Sequence, residues 1–454
     1  MPRLAWFSPM PPVATGVAAC SADLVAALRG EHEIDIFVDE PVVRMAAGTR
    51  SAHDFVWRHQ QQHYDLTVYQ VVNSSHHDYL WPYLFRYPGL TVLHDAHLHH
   101  ARAASLLRRL RTEDYRTEFA WNHPDENPDT AELAVAGFDN HLYYVWPMTR
   151  LVARASKLVA VHGPTLAARL QADVPDAAVV SIRLGQGTPL SIAEAGVASR
   201  RARARYGIPA DTIVFGCYGG LSPDKRIPQV LAAFAATRAY VPGAHLLLVG
   251  AVPEHYDLLS DISRLGLTAC VTVTGYVASD EAFTDCIAAC DVALNLRWPT
   301  AREISGPWLR CLAAGKPTVI VDLAHLTDVP TIDPRTWRPN GVSAARSVSA
   351  IGATPCAVAI DILDEDHSLR LAMRRLGTDE VLRASLGRSA RARWDQMHSI
   401  AAMATDYRTL IADAIERRAP AIALPAHLVD DGGSTLARVL EPFGLASPLG
   451  PLRP

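Results

Sequence analysis

Polar and small side chains crowd one junction of the sequence, between the apolar run CDVALNL and the amphipathic run PWLRCLAAG. The stretch from Arg297 to Gly306, RWPTAREISG, contains two arginines, a threonine and a glutamate. Ser305 is a good N-cap residue, and Pro307 suits a first helical turn because its missing N–H would have no partner there. Gly315 and Pro317 then predict where the helix ends. The junction therefore predicts a buried strand that leads into a short helix.

The N-terminus of this predicted helix is suited to an anionic ligand. Its backbone amides and partial positive charge favour an anion by about 0.3–1 kcal/mol per contact, and Gly306 would let a ligand approach the backbone closely. Glu303 lies just before it, so its carboxylate could accept hydrogen bonds from sugar hydroxyls while the amides hold a phosphate. In the alternative interpretation, Glu303 only complements the helix dipole.

A second polar turn follows the predicted strand TIVFGCYG. Lys225 and Arg226 lie in this turn, where two cations could neutralise a diphosphate leaving group in place of a metal ion. Gly219 and Gly220 would let the backbone pack closely against a nucleotide. The alternative is a solvated basic turn with no ligand.

Histidines cluster in the segment HDAHLHH, which holds His94, Asp95, His97, His99 and His100. Histidine and carboxylate groups are common metal ligands, but this spacing matches no zinc motif. His94 and Asp95 end a predicted buried strand. We therefore expect His94 to lie beside the reacting group and Asp95 to lie on the acceptor side of the site. We expect no metal ion there.

Four further residues follow or precede predicted elements in a similar way. His76 and His77 come after one strand and His162 ends another, so we expect them on the acceptor side of a site, with a purely structural role as the alternative. Gly16 precedes the predicted helix VAACSADLVAAL. It would allow close approach of donor phosphates or acceptor, unless a tight turn alone requires it.

Strands and helices that alternate along the chain must position these residues. RLAWF, EIDIFV, LTVYQVV, LTVLHD and KLVAVHG are predicted strands of the first half, and TIVFGCYG, AHLLLVG, VTVTGYV, DVALNL and PTVIVD of the second. Such alternation is typical of parallel α/β sheets. In these sheets ligands bind beyond the carboxyl ends of the strands, which is where the polar residues above are found.

The chain of 454 residues is too long for one hydrophobic core. We predict two Rossmann-like doubly wound domains, residues 1–195 and 212–390, that face each other across a cleft. A helix at 391–418 is expected to return to the first domain, and residues 419–454 to form a loosely attached tail.

Composition narrows the class of protein. The net charge of −4 gives no general attraction for nucleic acid. No apolar run is long enough to span a membrane, and the first residues, MPRLAWFSPM, lack a signal peptide, which predicts a cytoplasmic protein. The seven cysteines include no C-x-x-C pair. Cys286 and Cys290, four residues apart, are expected to be buried reduced thiols on one helix face.

The segment LNLRWPTAREISGPWLRCLAAGKPTVIVD resembles the donor site of family-4 (group 1) glycosyltransferases, which have the two-domain GT-B fold. FSPMPPVATGVAACSADL, PGLTVLHDAHLHH and FGCYGGLSPDKRIPQVLAAF are also similar to segments of this family, so the resemblance extends to about residue 415. Glu303 matches the family's first donor-site glutamate. Because the loop is one residue shorter, Arg310 takes the place of the second glutamate, and Gly220 stands where many relatives have an arginine.

The resemblance implies a retaining hexosyltransferase that uses a nucleotide-diphospho-sugar and needs no metal or other cofactor. It implies an acceptor that is a glycan, a lipid-linked molecule or a small molecule, and a role in polysaccharide or cell-envelope synthesis. It also allows peripheral contact with the inner face of the plasma membrane. A catalytically degenerate scaffold protein with the same fold is the alternative. The expected catalytic residues are Glu303, His94, Lys225 and Arg226, and the expected donor-binding residues are Gly16, Gly219, Gly220, Ser305, Gly306 and Arg310.

Overall fold

The computed structural model describes residues 1–13, 15–39, 48–138, 142–300, 303–321, 328–340, 354–430 and 433–444. Its contacts divide the chain into two compact units. Unit 1 comprises Met1–His162, Leu166–Ile182 and Thr405–Pro454, and unit 2 comprises Gly163–Thr165 and Arg183–Ala404. The domain boundaries expected from the sequence stay predictions, because a division by contacts does not show which parts fold on their own.

Unit 1 contains a parallel sheet in the order β3-β2-β1-β4-β5-β6-β7. Its strands are β1 (Arg3–Phe7), β2 (Glu33–Val38), β3 (Thr49–Ser51), β4 (Leu66–Val71), β5 (Leu90–Leu93), β6 (Leu158–His162) and β7 (Val179–Ile182). Strands β1, β4, β5 and β6 are buried along their whole length, as in parallel sheets with both faces covered. The Phe7 ring lies 5.2 Å from that of Phe37 and 5.1 Å from that of Tyr69, so these three aromatic rings pack together within the core.

The helices of unit 1 connect these strands. They are α1 (Gly16–Leu28), α2 (Phe55–Gln61), α3 (Trp81–Arg86), α4 (His99–Leu107), α5 (Thr112–Asn122), α6 (Thr130–Val135), α7 (Leu142–Val145), α8 (Arg150–Ala155) and α9 (Pro164–Asp173). Helix α1 starts immediately after Thr15, whose hydroxyl accepts a hydrogen bond from the Ala18 amide at 3.2 Å. This cap satisfies one of the amides left without a helical partner.

Unit 2 contains a second parallel sheet in the order β10-β9-β8-β11-β12-β14-β13. Its strands are β8 (Val214–Tyr218), β9 (His245–Val249), β10 (Val271–Val273), β11 (Val292–Asn295), β12 (Thr318–Val321), β13 (Thr331–Ile332) and β14 (Ala357–Ile360). Strands β8 and β11 are neighbours, with Val292 opposite Phe215 and Ala293 opposite Gly216. This pairing brings the loops after β8 and β11 to the same edge of the sheet.

The helices of unit 2 are α10 (Ile192–Tyr206), α11 (Ile227–Thr237), α12 (Leu258–Arg264), α13 (Asp280–Ala289), α14 (Gly306–Ala313), α15 (Glu365–Thr378) and α16 (Glu380–Met397). Helix α10 falls in the segment where the sequence lacks strand character. Ser191 and Glu194 form a capping box at its start, in which each side chain binds the backbone amide of the other. Cys286 and Cys290 are buried and free, as predicted, but only Cys286 lies on α13, because the helix ends at Ala289.

The last long helix, α17 (Ile400–Glu416), begins in unit 2 and ends in unit 1. Tyr407 packs on Trp6, with ring centroids 5.8 Å apart, and donates a hydrogen bond to Gln70 Oε1 at 3.2 Å. Arg408 pairs with Glu31 at 2.8 Å. The predicted fold class, with two doubly wound sheets and a C-terminal helix that returns to the first of them, is confirmed.

The segment after α17 is better anchored than the sequence predicted. Leu428, in α18 (Ala426–Val429), is buried in the core of unit 1, and Ile422 and Leu424 pack against that core. His427 Nε2 lies 2.8 Å from Glu118 Oε1. The expectation of a loose tail from residue 419 is therefore wrong for this segment, because its apolar side chains are buried. Helix α19 (Gly433–Leu440) follows, and residues 445–454 of the predicted tail lie outside the described residues.

Candidate functional site

A pocket in unit 2 lies where β8 and β11 end. Its lining comprises Cys217, Tyr218, Gly220, Leu221, Lys225, Ile227, Leu294, Asn295, Leu296, Arg297, Glu303 and Ser305. Four of the predicted site residues, Gly220, Lys225, Glu303 and Ser305, are in this set although almost eighty residues separate the two groups in the sequence. The parallel pairing of β8 with β11 brings them together.

Helix α14 starts at this pocket. Ser305 has extended backbone angles, and its hydroxyl accepts a hydrogen bond from the Trp308 amide at 3.4 Å. The indole of Trp308 is buried and donates to the Thr318 hydroxyl at 3.1 Å, which ties the helix to β12. Gly315 follows the helix with a positive φ of 63°. The helix predicted from the residues at both of its ends is confirmed.

Glu303 is almost fully buried, with 9% of its surface exposed. One oxygen of its carboxylate pairs with the Arg297 guanidinium, and the other accepts a hydrogen bond from the Thr300 hydroxyl at 2.9 Å. Arg297 also lies 3.5 Å from the Asp224 carboxylate, measured from Nε to Oδ2. The Trp298 amide donates to the Asp224 carbonyl at 2.7 Å. These contacts fix Glu303 within a network that joins the loops after β8 and β11.

Lys225 and Arg226, the two adjacent cations in the loop after β8, have different surroundings. Lys225 lines the pocket. Arg226 instead donates from Nε to Glu365 Oε1 at 2.8 Å and pairs through Nη2 with the second oxygen of that carboxylate. Glu365 is buried at the start of α15. The prediction that Arg226 shares a ligand with Lys225 is not supported by this arrangement, because a buried carboxylate already matches its charge.

The glycines around the pocket have different surroundings. Gly219 has a φ of 100°, which disfavours any other residue. A β-carbon at Gly220 would meet no atom within 4 Å, so this position borders open space. At Gly306 a β-carbon would lie 2.3 Å from Gln186 Oε1. Close packing of Gln186 thus accounts for this glycine, whereas the sequence alone suggests the approach of a ligand.

Arg310 lies outside the lining of the pocket. Its guanidinium pairs with Asp280 at 2.9 Å, donates to the Thr284 hydroxyl at 3.0 Å and lies 4.6 Å from the centre of the Phe283 ring. All three partners are on α13. The structure therefore gives Arg310 the role of joining α14 to α13 and does not bring it to the predicted donor site.

The histidines of unit 1 form a second polar group, at the carboxyl ends of β4, β5 and β6. His94 Nε2 lies 2.8 Å from Gln70 Oε1, which accepts, so Nε2 carries the proton. His94 Nδ1 is left as the acceptor for His162 Nε2 at 3.1 Å. Burial lowers the pKa of His94 well below its ordinary value and that of His162 to about 4. Both rings are therefore neutral at pH 7, and both nitrogens of His94 have partners within unit 1.

The other predicted residues of unit 1 are spread over several positions. His77 is buried, its Nδ1 donates to the Gln70 carbonyl at 2.7 Å, and burial lowers its pKa to about 4. His76 is exposed. Asp95 Oδ2 accepts from the Asn73 amide at 2.7 Å and so joins the loops after β4 and β5. Gly16 is the first residue of α1.

Within the described ranges, no three histidine, cysteine, aspartate or glutamate side chains are grouped to hold a metal ion. The HDAHLHH segment shows why: His99 turns inward to the Tyr115 hydroxyl at 2.8 Å, while His94 turns to Gln70. None of the helices in the part of the chain that the structure describes is long and apolar enough to cross a membrane.

Some residues of the site were missed from the sequence. Asn295, the last residue of β11, and Arg297, two residues after it, were missed although the rule on carboxyl ends could have identified them. Gln186 reaches the start of α14 from the loop after β7. Its backbone amide donates to the His398 carbonyl at 3.0 Å, and its backbone carbonyl accepts from the Trp394 indole at 2.7 Å. No local signal in the sequence marks such distant contacts.

Comparison with known proteins identifies this part of the chain. Residues 198–326 match the model of the family described as glycosyl transferases group 1. This segment is therefore similar to a group 1 glycosyl transferase domain. Enzymes of this family transfer a sugar from a nucleotide-sugar donor, and every residue that lines the pocket lies inside the matched segment. A search of the curated proteins found no match.

Solved structures with the same fold extend the likeness over most of the chain. Sucrose-phosphate synthase from Thermosynechococcus elongatus is 17% identical, with a TM-score of 0.57 over 91% of this chain and 100% of its own. HepE from Anabaena, solved with UDP and glucose, is 15% identical, with a TM-score of 0.58 over 91% and 100%. A glycosyltransferase from Rickettsia africae is 11% identical, with a TM-score of 0.60 over 92% and 99%. At these identities the likeness establishes the fold, which is GT-B.

Proposed function

We propose that this glycosyltransferase moves a hexosyl group from a nucleotide-diphospho-sugar to a glycan, lipid-linked or small-molecule acceptor, with retention of configuration. The observation that carries the proposal is the pocket at the ends of β8 and β11. It combines a lysine, a helix N-terminus and a buried glutamate inside the domain that matches the family.

In this proposal the diphosphate leaving group is stabilised by Lys225 and by the first turn of α14. Cationic and amide donors that are already in place stabilise charge as it develops on a leaving group. Ser305 caps the helix at this point and lines the pocket. The open space beside Gly220 leaves room for the ligand. Protein groups then supply the charge that a divalent metal would otherwise supply.

Glu303 is proposed to accept hydrogen bonds from the donor sugar and to stabilise positive charge at its reacting carbon. Arg297 and Thr300 hold the carboxylate at the pocket wall. Because Glu303 precedes the N-cap Ser305 by two residues, a sugar attached to a phosphate at the helix N-terminus would lie within its reach. The roles of His94, Asp95, His76, His77 and His162 toward an acceptor stay predictions.

A second candidate function is a scaffold that binds nucleotide-sugars without transferring them. The arrangement of cations is the observation in its favour, since Arg226 and Arg310 pair with Glu365 and Asp280 and position 220 carries no side chain. Such a protein would bind a donor yet neither hydrolyse nor transfer it.

Hydrolysis of nucleotide-sugars by the full-length chain tests the proposal. UDP-, GDP- and ADP-hexoses are incubated with the enzyme in EDTA, and release of the nucleoside diphosphate is measured. HepE was solved with UDP-glucose, so this donor is tested first. We expect release from one donor class, lowered by orders of magnitude in Glu303→Gln and unchanged in the control Glu281→Gln on α13. Binding without turnover would support the scaffold, and activity that requires Mg²⁺ or Mn²⁺ would contradict metal independence.

A further inference from the structure

Arg297 is a cation of the pocket to which the proposed function gives a contact with Glu303 but none with the donor. It follows β11 and lines the pocket together with Lys225, Gly220 and Ser305. Its side chain is 31% exposed, so the guanidinium is at the boundary between the pocket wall and solvent. Two carboxylates share it: Glu303 pairs with Nη1, and Asp224 lies 3.5 Å from Nε.

The formal charges of these four residues cancel when no ligand is present. Lys225 and Arg297 contribute two positive charges, and Glu303 and Asp224 contribute two negative charges. A diphosphate would therefore meet no excess of positive charge while Arg297 stays on Glu303. Position 220 cannot compensate, because glycine carries no side chain there. The pocket needs a rearrangement of charge before it favours a polyanion.

Arg297 is built for such a rearrangement. Its guanidinium can form two parallel hydrogen bonds with a phosphate as well as with a carboxylate. The exposed part of the side chain can turn without movement of β11, since only side-chain torsions change. Glu303 would keep one contact in the process, because Thr300 holds its other oxygen at 2.9 Å.

We propose that Arg297 is the second cation of the diphosphate site and that it exchanges partners: it pairs with Glu303 in the empty pocket and with the donor diphosphate in the filled one. The exchange releases one oxygen of Glu303 toward the donor sugar at the moment the donor binds. This inference rests on the proposed function and adds a residue and an order of events to it. A fixed pair in which Arg297 only positions Glu303 is the competing explanation.

The two explanations make opposite predictions for Glu303→Gln. If Arg297 exchanges partners, removal of the competing carboxylate releases the guanidinium, and a nucleoside diphosphate binds more tightly than to the wild type. If the pair is fixed, the same variant binds the nucleoside diphosphate no better or more weakly. Arg297→Met weakens binding in the first case and leaves it unchanged in the second, since only the sugar would contact Glu303.

Titration calorimetry on the full-length chain decides between them. UDP, GDP and ADP are titrated into the wild type, and the nucleotide that binds best is used for the variants. We expect Arg297→Met to weaken its affinity about tenfold or more and Glu303→Gln to strengthen it about threefold or more. The double variant should resemble Arg297→Met. Arg201→Met, which removes a cation paired with Asp285 on α13, is the control and should have no effect.

A cation placed at position 220 provides an independent test. Gly220→Arg adds a side chain where a β-carbon meets no atom within 4 Å, and in the Arg297→Met background it should restore nucleotide affinity. Unchanged affinity in Arg297→Met, or no strengthening in Glu303→Gln, would overturn the exchange of partners. A wild type that binds none of the three nucleotides would overturn the proposed function and this inference with it.

Discussion

The side chain of Gln186 lies directly against Gly306, so that a β-carbon at position 306 would be 2.3 Å from the Gln186 Oε1 atom. Gly306 is the first residue of α14, and Gln186 comes from the loop after β7. The contact joins that loop to the helix N-terminus where we place the diphosphate. Substitutions at the two positions can separate the effect of this contact on stability from its effect on nucleotide binding.

Gly306→Ala should be destabilising in the wild type and stabilising in a Gln186→Ala background. In the wild type the added methyl forces the Gln186 amide to move, whereas without that amide alanine is the better helix residue by about 0.5–1 kcal/mol. Thermal unfolding of the wild type, the two single variants and the double variant measures the reversal of sign. If the double variant is stable but no longer binds the nucleotide, the ligand itself requires a glycine at this position.

Lys225→Met and Arg226→Met should differ although the residues are adjacent. Lys225→Met should slow transfer by about 2–4 kcal/mol, as expected for loss of one preorganised contact to the leaving group, with little change in Tm. Arg226→Met should lower stability by about 2 kcal/mol because it leaves the buried Glu365 carboxylate without its partner. Steady-state rates and unfolding curves separate the two. Similar losses of turnover at normal Tm would show that Arg226 also contacts the diphosphate.

Stability should fall as the pH drops from about 6.5 towards about 4. Burial lowers the pKa of His77 and of His162 to about 4 in the folded protein, so in this window the unfolded chain binds more protons. Each such histidine contributes a slope of about 1.4 kcal/mol per pH unit, and its stabilisation is fully present above the unfolded pKa.

His77→Gln tests this dependence directly. Glutamine can still donate a hydrogen bond to the Gln70 carbonyl, but it does not titrate. The slope of the unfolding free energy against pH, between pH 6.5 and 4, should therefore decrease by the amount that corresponds to about one proton. Exposed His76→Gln is the matched control and should leave the slope unchanged. Equal slopes for the wild type and His77→Gln would show that protonation of His77 does not cause the loss of stability.

Truncation should distinguish the packed segment from the residues that follow it. A chain that ends at Arg418 loses Leu428 from the core of unit 1 and the His427 contact with Glu118. We expect its Tm to fall by several degrees, because burial of one leucine side chain contributes about 1.5–3 kcal/mol. A chain that ends at Asp430 keeps these contacts and should unfold like the full chain. Equal Tm values for both truncations would contradict this role of the segment.

The sequence alone determined the features that depend on neighbouring residues. The caps of α14 were predictable because Ser305, Pro307 and Gly315 act on the backbone within one helical turn. Long buried strands such as β1 and β8 were predictable from continuous apolar runs. Short strands escaped notice, since β3 and β13 contain only three and two residues and have no detectable period.

Tertiary structure decided which of the candidate residues meet. Arg226 and Glu365 are 139 positions apart and Arg310 and Asp280 are 30 apart, yet each pair is joined in the fold. A charged side chain near a predicted site has the same appearance in the sequence whether it binds a ligand or a distant carboxylate. The difference arises only when parallel strands and the helices between them bring remote segments together. For this reason the sequence located the pocket but could not show that Arg297 lines it while Arg226 and Arg310 pair with carboxylates elsewhere.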